Sequence, residues 1–200
     1  MNDDWNDYAD GWDGNSDVRR YANCAFASLD EYAGISGGGW QARRVLDFGC
    51  GTGLLSEKLA PHVKEVVAVD TSERMIAVLQ DKALPNVRAL HADILGGSAG
   101  GAGNGLSGFD LICASSVCSF LPDYHGAVAV LAGLLNRGGT FVQWDWLASD
   151  EGGSGLTLRH VREALRDAGL GSIRAEQAFA MDAGGPAMPV LMGAGIRAAG

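Results

Sequence analysis

Apolar and polar residues follow two rhythms along this chain, and the switches between them mark out the elements. Val18, Tyr21, Ala22, Ala25, Phe26, Leu29 and Tyr32 recur at spacings of three and four, the stripe of an amphipathic helix. Ser16 stands where such a helix needs a cap and Gly34 where it must end. A flexible joint at 36–39 follows, and the rhythm then shortens. Apolar runs at 45–48, 65–70, 87–91, 109–114 and 140–147 read as buried strands. Helical spacings lie between them: one at 54–60, one through Met75, Ile76, Val78 and Leu79 that Pro85 ends, and one through Val128, Val130, Leu131, Leu134 and Leu135. The last of these opens at Pro122 and Asp123 and closes at 136–139. Leu156, Leu158, Val161, Leu165 and Ala168 predict a further helix, stopped by Gly169. Residues 171–180 and 187–197 then read as two strands joined by a turn at 182–186, an antiparallel hairpin. Alternating strands and helices with a hairpin at the end make an α/β chain. The sequence shows no internal repeat.

The stretch at 45–53, Val-Leu-Asp-Phe-Gly-Cys-Gly-Thr-Gly, joins the first strand to the helix at 54–60. A strand, a glycine turn and a helix start make a place where a nucleotide-like ligand comes close to backbone N–H groups. Two cofactors compete for such a turn. A dinucleotide site carries a third glycine where Leu54 stands, which disfavours an NAD-dependent oxidoreductase. Asp47, just before the first glycine, repels a pyrophosphate but suits the ammonium end of an amino-acid-like ligand. Asp70 ends the second strand, nineteen residues beyond Gly51, where α/β cofactor folds place a carboxylate for ribose hydroxyls. The plainer reading is that Asp70 or Ser72 only caps the next helix.

This stretch resembles motif I of the class I S-adenosylmethionine (SAM)-dependent methyltransferases, of the small-molecule, type 11/25-like kind. The similarity extends over residues 43–197, although Arg137 stands where the family usually has proline. The resemblance implies a Rossmann-like, doubly wound sheet of seven strands in the order 3-2-1-4-5-7-6, strand 7 antiparallel, with helices on both faces. It implies SAM as cofactor and S-adenosylhomocysteine as product. Asp47 and the backbone of Gly49, Cys50 and Gly51 are expected at the methionine part and Asp70 at the ribose. Asp93 is expected at the adenine amino group, with Ile94 against the ring and Ser115 near the sulfonium. Thr71 and Met75 complete the expected cofactor contacts.

Methyl transfer from a sulfonium needs the two reactants positioned and water excluded more than it needs a catalytic triad. Candidate acceptor-side residues are Tyr8, Trp12, Ser116, Asp145 and Trp146, and candidate bases are Asp145, Tyr8 and His125. Asp145 between two tryptophans suits a cationic acceptor. The simpler reading puts Trp144 in the core, Trp146 on the rim and Asp145 in a loop cap. A non-catalytic SAM-binding or regulatory protein is the alternative to an enzyme.

Composition narrows the partners. Two hundred residues fit one domain, with residues 1–39 as an N-terminal arm and helix acting as its lid and 40–200 as the SAM-binding part. A net charge of −9 argues against nucleic acid, whose binding leans on Lys and Arg. Small molecules become the expected substrates. Mean hydropathy is +0.05 and no apolar run approaches a membrane span. Met1-Asn2-Asp3-Asp4 is acidic where a signal peptide is basic, so a cytoplasmic monomer or homodimer is expected. The four cysteines and four histidines lack metal-ligand spacing, and Cys24, Cys50 and Cys113 read as reduced fillers; no metal is expected. Residues 96–108, with seven glycines in thirteen positions, read as a mobile loop, and 151–155 as a second soft loop. Residues 1–15 interleave five aspartates with Trp5, Tyr8 and Trp12, a pattern that fits a solvated arm or a lid over the pocket.

Overall fold

A computed structural model of the chain describes residues 5–96, 105–149, 155–182 and 185–199. Much of the loops expected at 96–108 and 151–155, and part of the turn at 182–186, lies outside these residues. The described chain gathers into two compact units, residues 1–99 and 100–200.

The first unit opens with two short 3-10 turns, Trp5–Tyr8 and Trp12–Gly14, and then α1 (Ser16–Ala33). Asn15, not Ser16, caps α1: its side chain accepts from the N–H groups of Asp17 and Val18. Either residue can cap, and the apolar periodicity does not resolve a one-residue difference. Gly34, at φ 63°, closes the helix in the left-handed conformation. The expected flexible joint is partly built. Ile35–Gly37 forms a 3-10 turn, Ile35 is fully buried, and Ser36 N–H bonds the Asp30 carboxylate at 2.7 Å.

Strand β1 (Arg44–Phe48), α2 (Leu54–Leu59), β2 (Glu65–Asp70), α3 (Glu73–Asp81) and β3 (Val87–His91) follow. β1 pairs parallel with β2 and β2 with β3, and Asp70 sits opposite His91. Val45, Leu46, Val66 and Val67 lose all contact with solvent, and Leu29 of α1 and Leu59 of α2 are buried to the same degree.

The second unit holds β4 (Phe109–Ser115), α4 (Tyr124–Leu134), β5 (Leu135–Trp146), α5 (Leu158–Asp167), β6 (Leu170–Met181) and β7 (Met188–Arg197). β5 pairs parallel with β4 and antiparallel with β7, which pairs antiparallel with β6. β5 begins at Leu135, five residues before the apolar run that announced it. Its first residue already pairs with Phe109. α5 lies close on β7 because Gly193 carries no side chain: a Cβ there would stand 2.3 Å from Val161 Cγ1. Together the seven strands take the order β3-β2-β1-β4-β5-β7-β6, the one the resemblance implied.

Candidate functional site

The first unit holds the expected cofactor residues other than Ser115, at or near the ends of its three parallel strands and on α3. The glycine turn after β1 is tied down from within. The N–H groups of Gly49 and Cys50 both donate to the Val69 carbonyl, at 2.8 and 3.1 Å, and Gly51 N–H donates to Asp70 Oδ2 at 2.8 Å. The end of β2 uses these three N–H groups, so they are not the backbone N–H groups that the strand, turn and helix start were expected to offer a ligand. What the turn offers a ligand is close approach. A Cβ on Gly51 would meet nothing nearer than Trp12 Nε1 at 3.9 Å and Met75 Sδ at 4.0 Å. Gly53 is required for packing as well: at φ 83°, its missing Cβ would lie 2.3 Å from Leu79 Cδ1.

Asp70 does more than cap a helix. Its Oδ1 accepts from Ser72 N–H at 2.8 Å while Oδ2 holds Gly51, so the carboxylate is locked in one orientation. Ser72 itself caps α3, accepting from Met75 N–H. An ionised carboxylate has about four lone-pair sites, so acceptor capacity remains on the half-exposed Asp70.

Asp47 is buried beneath the turn, and its Oδ2 accepts from Ser56 Oγ at 2.6 Å. Burial, with the nearby Asp70 charge adding to it and the Ser56 hydrogen bond opposing it, raises its pKa from 3.8 to about 6. Cys50 is a thiol, pushed up by burial and then by Asp47 and Asp70. Two carboxylates under one turn favour a cationic ligand group. Thr71 is exposed, and its carbonyl meets His91 Nε2 at 3.1 Å. Asp93 is also exposed and takes the Leu95 and Gly96 N–H groups on Oδ1, whereas Ile94 is buried.

The acidic arm folds onto this site. Asn6 Oδ1 accepts from Ser72 Oγ at 2.9 Å and from Arg74 N–H at 3.1 Å, and Asp10 pairs with Arg74. Asp13 bonds the Thr52 hydroxyl in the glycine turn and pairs with Lys82 at 2.6 Å. Trp5, Tyr8 and Trp12 form one aromatic cluster with centroids 5.8 to 6.4 Å apart. Asn6, Asp13, Thr52, Ser56 and Lys82 carried no signal in the sequence, since each partner lies far along the chain or across a turn.

The second unit holds Ser115, expected at the cofactor, and the acceptor-side and base candidates Ser116, Asp145, Trp146 and His125, which separate. Ser115 ends β4 and Ser116 follows with φ 57°, a left-handed backbone that a non-glycine residue rarely adopts. Trp144 is fully buried and Trp146 half-buried. Asp145 lies inside β5, not in a loop, and is also fully buried. Its position rules out an open carboxylate offered to a cationic acceptor. His125, on the first turn of α4, faces Asp167 through Nδ1 at 3.1 Å on an exposed surface. Gln143, Tyr124 and Ser119, bonded to or around Asp145, were missed. Gln143 and Asp145 are alternate residues of the otherwise apolar stretch at 141–147, and that shared face was a readable signal. Among the described residues no group of three or more His, Cys, Asp or Glu could hold a metal ion, and no helix is long and apolar enough to cross a membrane.

Residues 46–141 match a methyltransferase-domain family. Over 97 residues the chain is 36% identical to an uncharacterised methyltransferase of Mycobacterium tuberculosis, covering 48% of this chain and 47% of that one. It is 32% identical over 114 residues to a ubiquinone biosynthesis O-methyltransferase of Aromatoleum aromaticum, covering 56% of this chain and 45% of the relative. The chain thus spans about half the length of the curated relatives it matches. In fold it is similar to the N-methyltransferase NodS of Bradyrhizobium japonicum, solved with S-adenosylhomocysteine. The TM-score is 0.67 at 21% identity, over 93% of this chain and 90% of that one.

Proposed function

We propose that this chain, a class I methyltransferase fold whose residues 46–141 match the methyltransferase-domain family, binds SAM and passes its methyl group to a small-molecule acceptor. One observation carries the reading: Asp70, fixed by Gly51 and Ser72 N–H groups, keeps acceptor capacity at the tip of β2 beside the glycine turn. An acceptor-only group so placed suits two adjacent ribose hydroxyls. When bound, SAM supplies a methyl group already activated on a sulfonium.

The chain's own residues orient and enclose. Asp70 fixes the ribose, Asp93 and Ile94 receive the adenine, and Thr71 and Met75 border it. Asp47 and Asp70 together provide negative potential for the cationic end of the ligand. Cys50 and the glycines permit close approach. The arm, clamped through Asn6 and Asp13, sets Trp12 beside Gly51 and keeps water from the cofactor, while Tyr8 stays half in solvent as an acceptor-side residue. Ser115 and Ser116 keep their assignments to the cofactor and the acceptor.

An N-methyltransferase and an O-methyltransferase both stand among the similar proteins, so likeness does not choose the acceptor atom. Incubating the protein with methyl-labelled SAM and a fractionated small-molecule extract tests the reading. Label is expected in a low-mass acceptor with the wild type and not with Asp70→Ala. SAM bound by the wild type but never consumed would identify a non-catalytic binder instead.

A further inference from the structure

The second unit contains a buried polar chain to which cofactor binding gives no task. Gln143 and Asp145 share one face of β5 and are both fully buried. Asp145 Oδ2 accepts from Gln143 Nε2 at 3.0 Å, and Oδ1 accepts from Ser119 N–H at 2.9 Å. Tyr124 OH, at the start of α4, donates to Gln143 Oε1 at 2.7 Å. Among the described residues no cationic side chain pairs with Asp145.

The titratable groups facing it are Cys118 and Tyr124. Burial pushes up the pKa of both, and Asp145 adds to each, so both are neutral and neither offsets its charge. From β7 its register partner is the apolar Leu191. The turn at 116–120 is hung from β5 at several points. Ser116 N–H bonds the Trp144 carbonyl at 2.7 Å, and Ser119 N–H bonds Asp145. The Ser119 side chain and the Cys118 N–H also bond Asp145. Between the strand and those anchors Ser116 is held at φ 57°, a conformation that persists only where its surroundings impose it.

We propose that Asp145 is the positioning residue of the turn at 116–120 and holds it closed in its uncharged form. That this turn is the acceptor side rests on the function proposed above; the clamp itself does not. With the carboxyl protonated every member of the chain is satisfied. Oδ1 keeps the Ser119 N–H, the carboxyl proton goes to Gln143 Oε1 after a flip of the amide, and Gln143 Nε2 then donates to the Tyr124 oxygen. Loss of the proton to solvent leaves a buried charge with no counter-ion, which opening of the turn relieves by admitting water. Burial, outweighing the hydrogen bonds from the Ser119 backbone and side chain, the Gln143 side chain and the Cys118 backbone, raises the Asp145 pKa from 3.8 to about 7. The closed turn therefore binds the proton more tightly than the open one. Opening is favoured as pH rises from the ordinary carboxylate range to neutrality and levels off above it.

Amide hydrogen exchange of the full chain between pH 5.5 and 8.5, corrected for intrinsic rates, tests the clamp. In the wild type, protection at 116–120 is expected to fall about tenfold per pH unit up to neutrality and then stay flat. Asp145→Asn, which keeps an acceptor for Ser119 and cannot ionise, is expected to remain protected throughout. Asp145→Leu, which removes the acceptor, is expected to lose protection at every pH while a melting curve confirms that it folds. Protection independent of pH in the wild type, or an Asn variant that follows the wild-type profile, would overturn the proposal. A parallel titration of wild type with S-adenosylhomocysteine reads the cofactor assignment separately, so either can fail without the other.

Discussion

The three glycines at 49, 51 and 53 look equivalent in the sequence, and the structure gives them different work. Gly49 and Gly51 spend their N–H groups on β2, which ties the turn to the strand carrying Asp70. Gly53 combines a left-handed backbone with contact against Leu79. Gly53→Ala should therefore cost stability twice, about 1–2 kcal/mol for the backbone and about 1–3 kcal/mol for overpacking. Gly51→Ala has space for its methyl and should carry the backbone cost alone. Urea unfolding of the two variants checks the difference, and equal losses would contradict it. Residue types were legible here and their bonds were not. Nothing local to Asp47 announced Ser56, nine residues on, as the hydroxyl that meets its buried carboxylate at 2.6 Å.

Among the elements, strands and helices with a sustained rhythm were legible, and their ends were less so. Asn15 displaced Ser16 as a cap, and β5 began at Leu135 because pairing with Phe109, rather than hydrophobicity, sets where a strand starts. The arm was the least legible element. Aspartates and aromatics fit a solvated tail as well as a lid, and the arm's folded course is set by partners 39 to 69 residues away. Its contacts with Thr52, Ser72, Arg74 and Lys82 hold the arm beside the candidate cofactor residues. Deleting residues 1–15 is expected to weaken S-adenosylhomocysteine binding by about tenfold, the worth of roughly 1.4 kcal/mol. Calorimetry on the truncated chain checks this, and unchanged affinity would reduce the arm to packing.

For the molecule as a whole, the alternation of elements and the terminal hairpin gave an α/β chain and the family resemblance implied the strand order, which the structure shows. The positions of Asp70 and the glycine turn were legible because they sit at strand ends that a motif and a fixed spacing identify. The acceptor half was not. The sequence allowed Asp145 to be an open carboxylate between two tryptophans or a loop cap beside a core Trp144, and neither reading held the buried strand position shared with Gln143, a fact of tertiary packing. The central claim is that this fold binds SAM through Asp70, and calorimetric titration of S-adenosylhomocysteine into wild type and Asp70→Ala tests it most directly. The account predicts tight wild-type binding, weakened in the variant by about 1.5–3 kcal/mol for lost hydrogen bonds to a charged group. A melting curve of Asp70→Ala must accompany it, because Gly51 and Ser72 also lose their acceptor. A folded wild type that does not bind S-adenosylhomocysteine would contradict the account at its root.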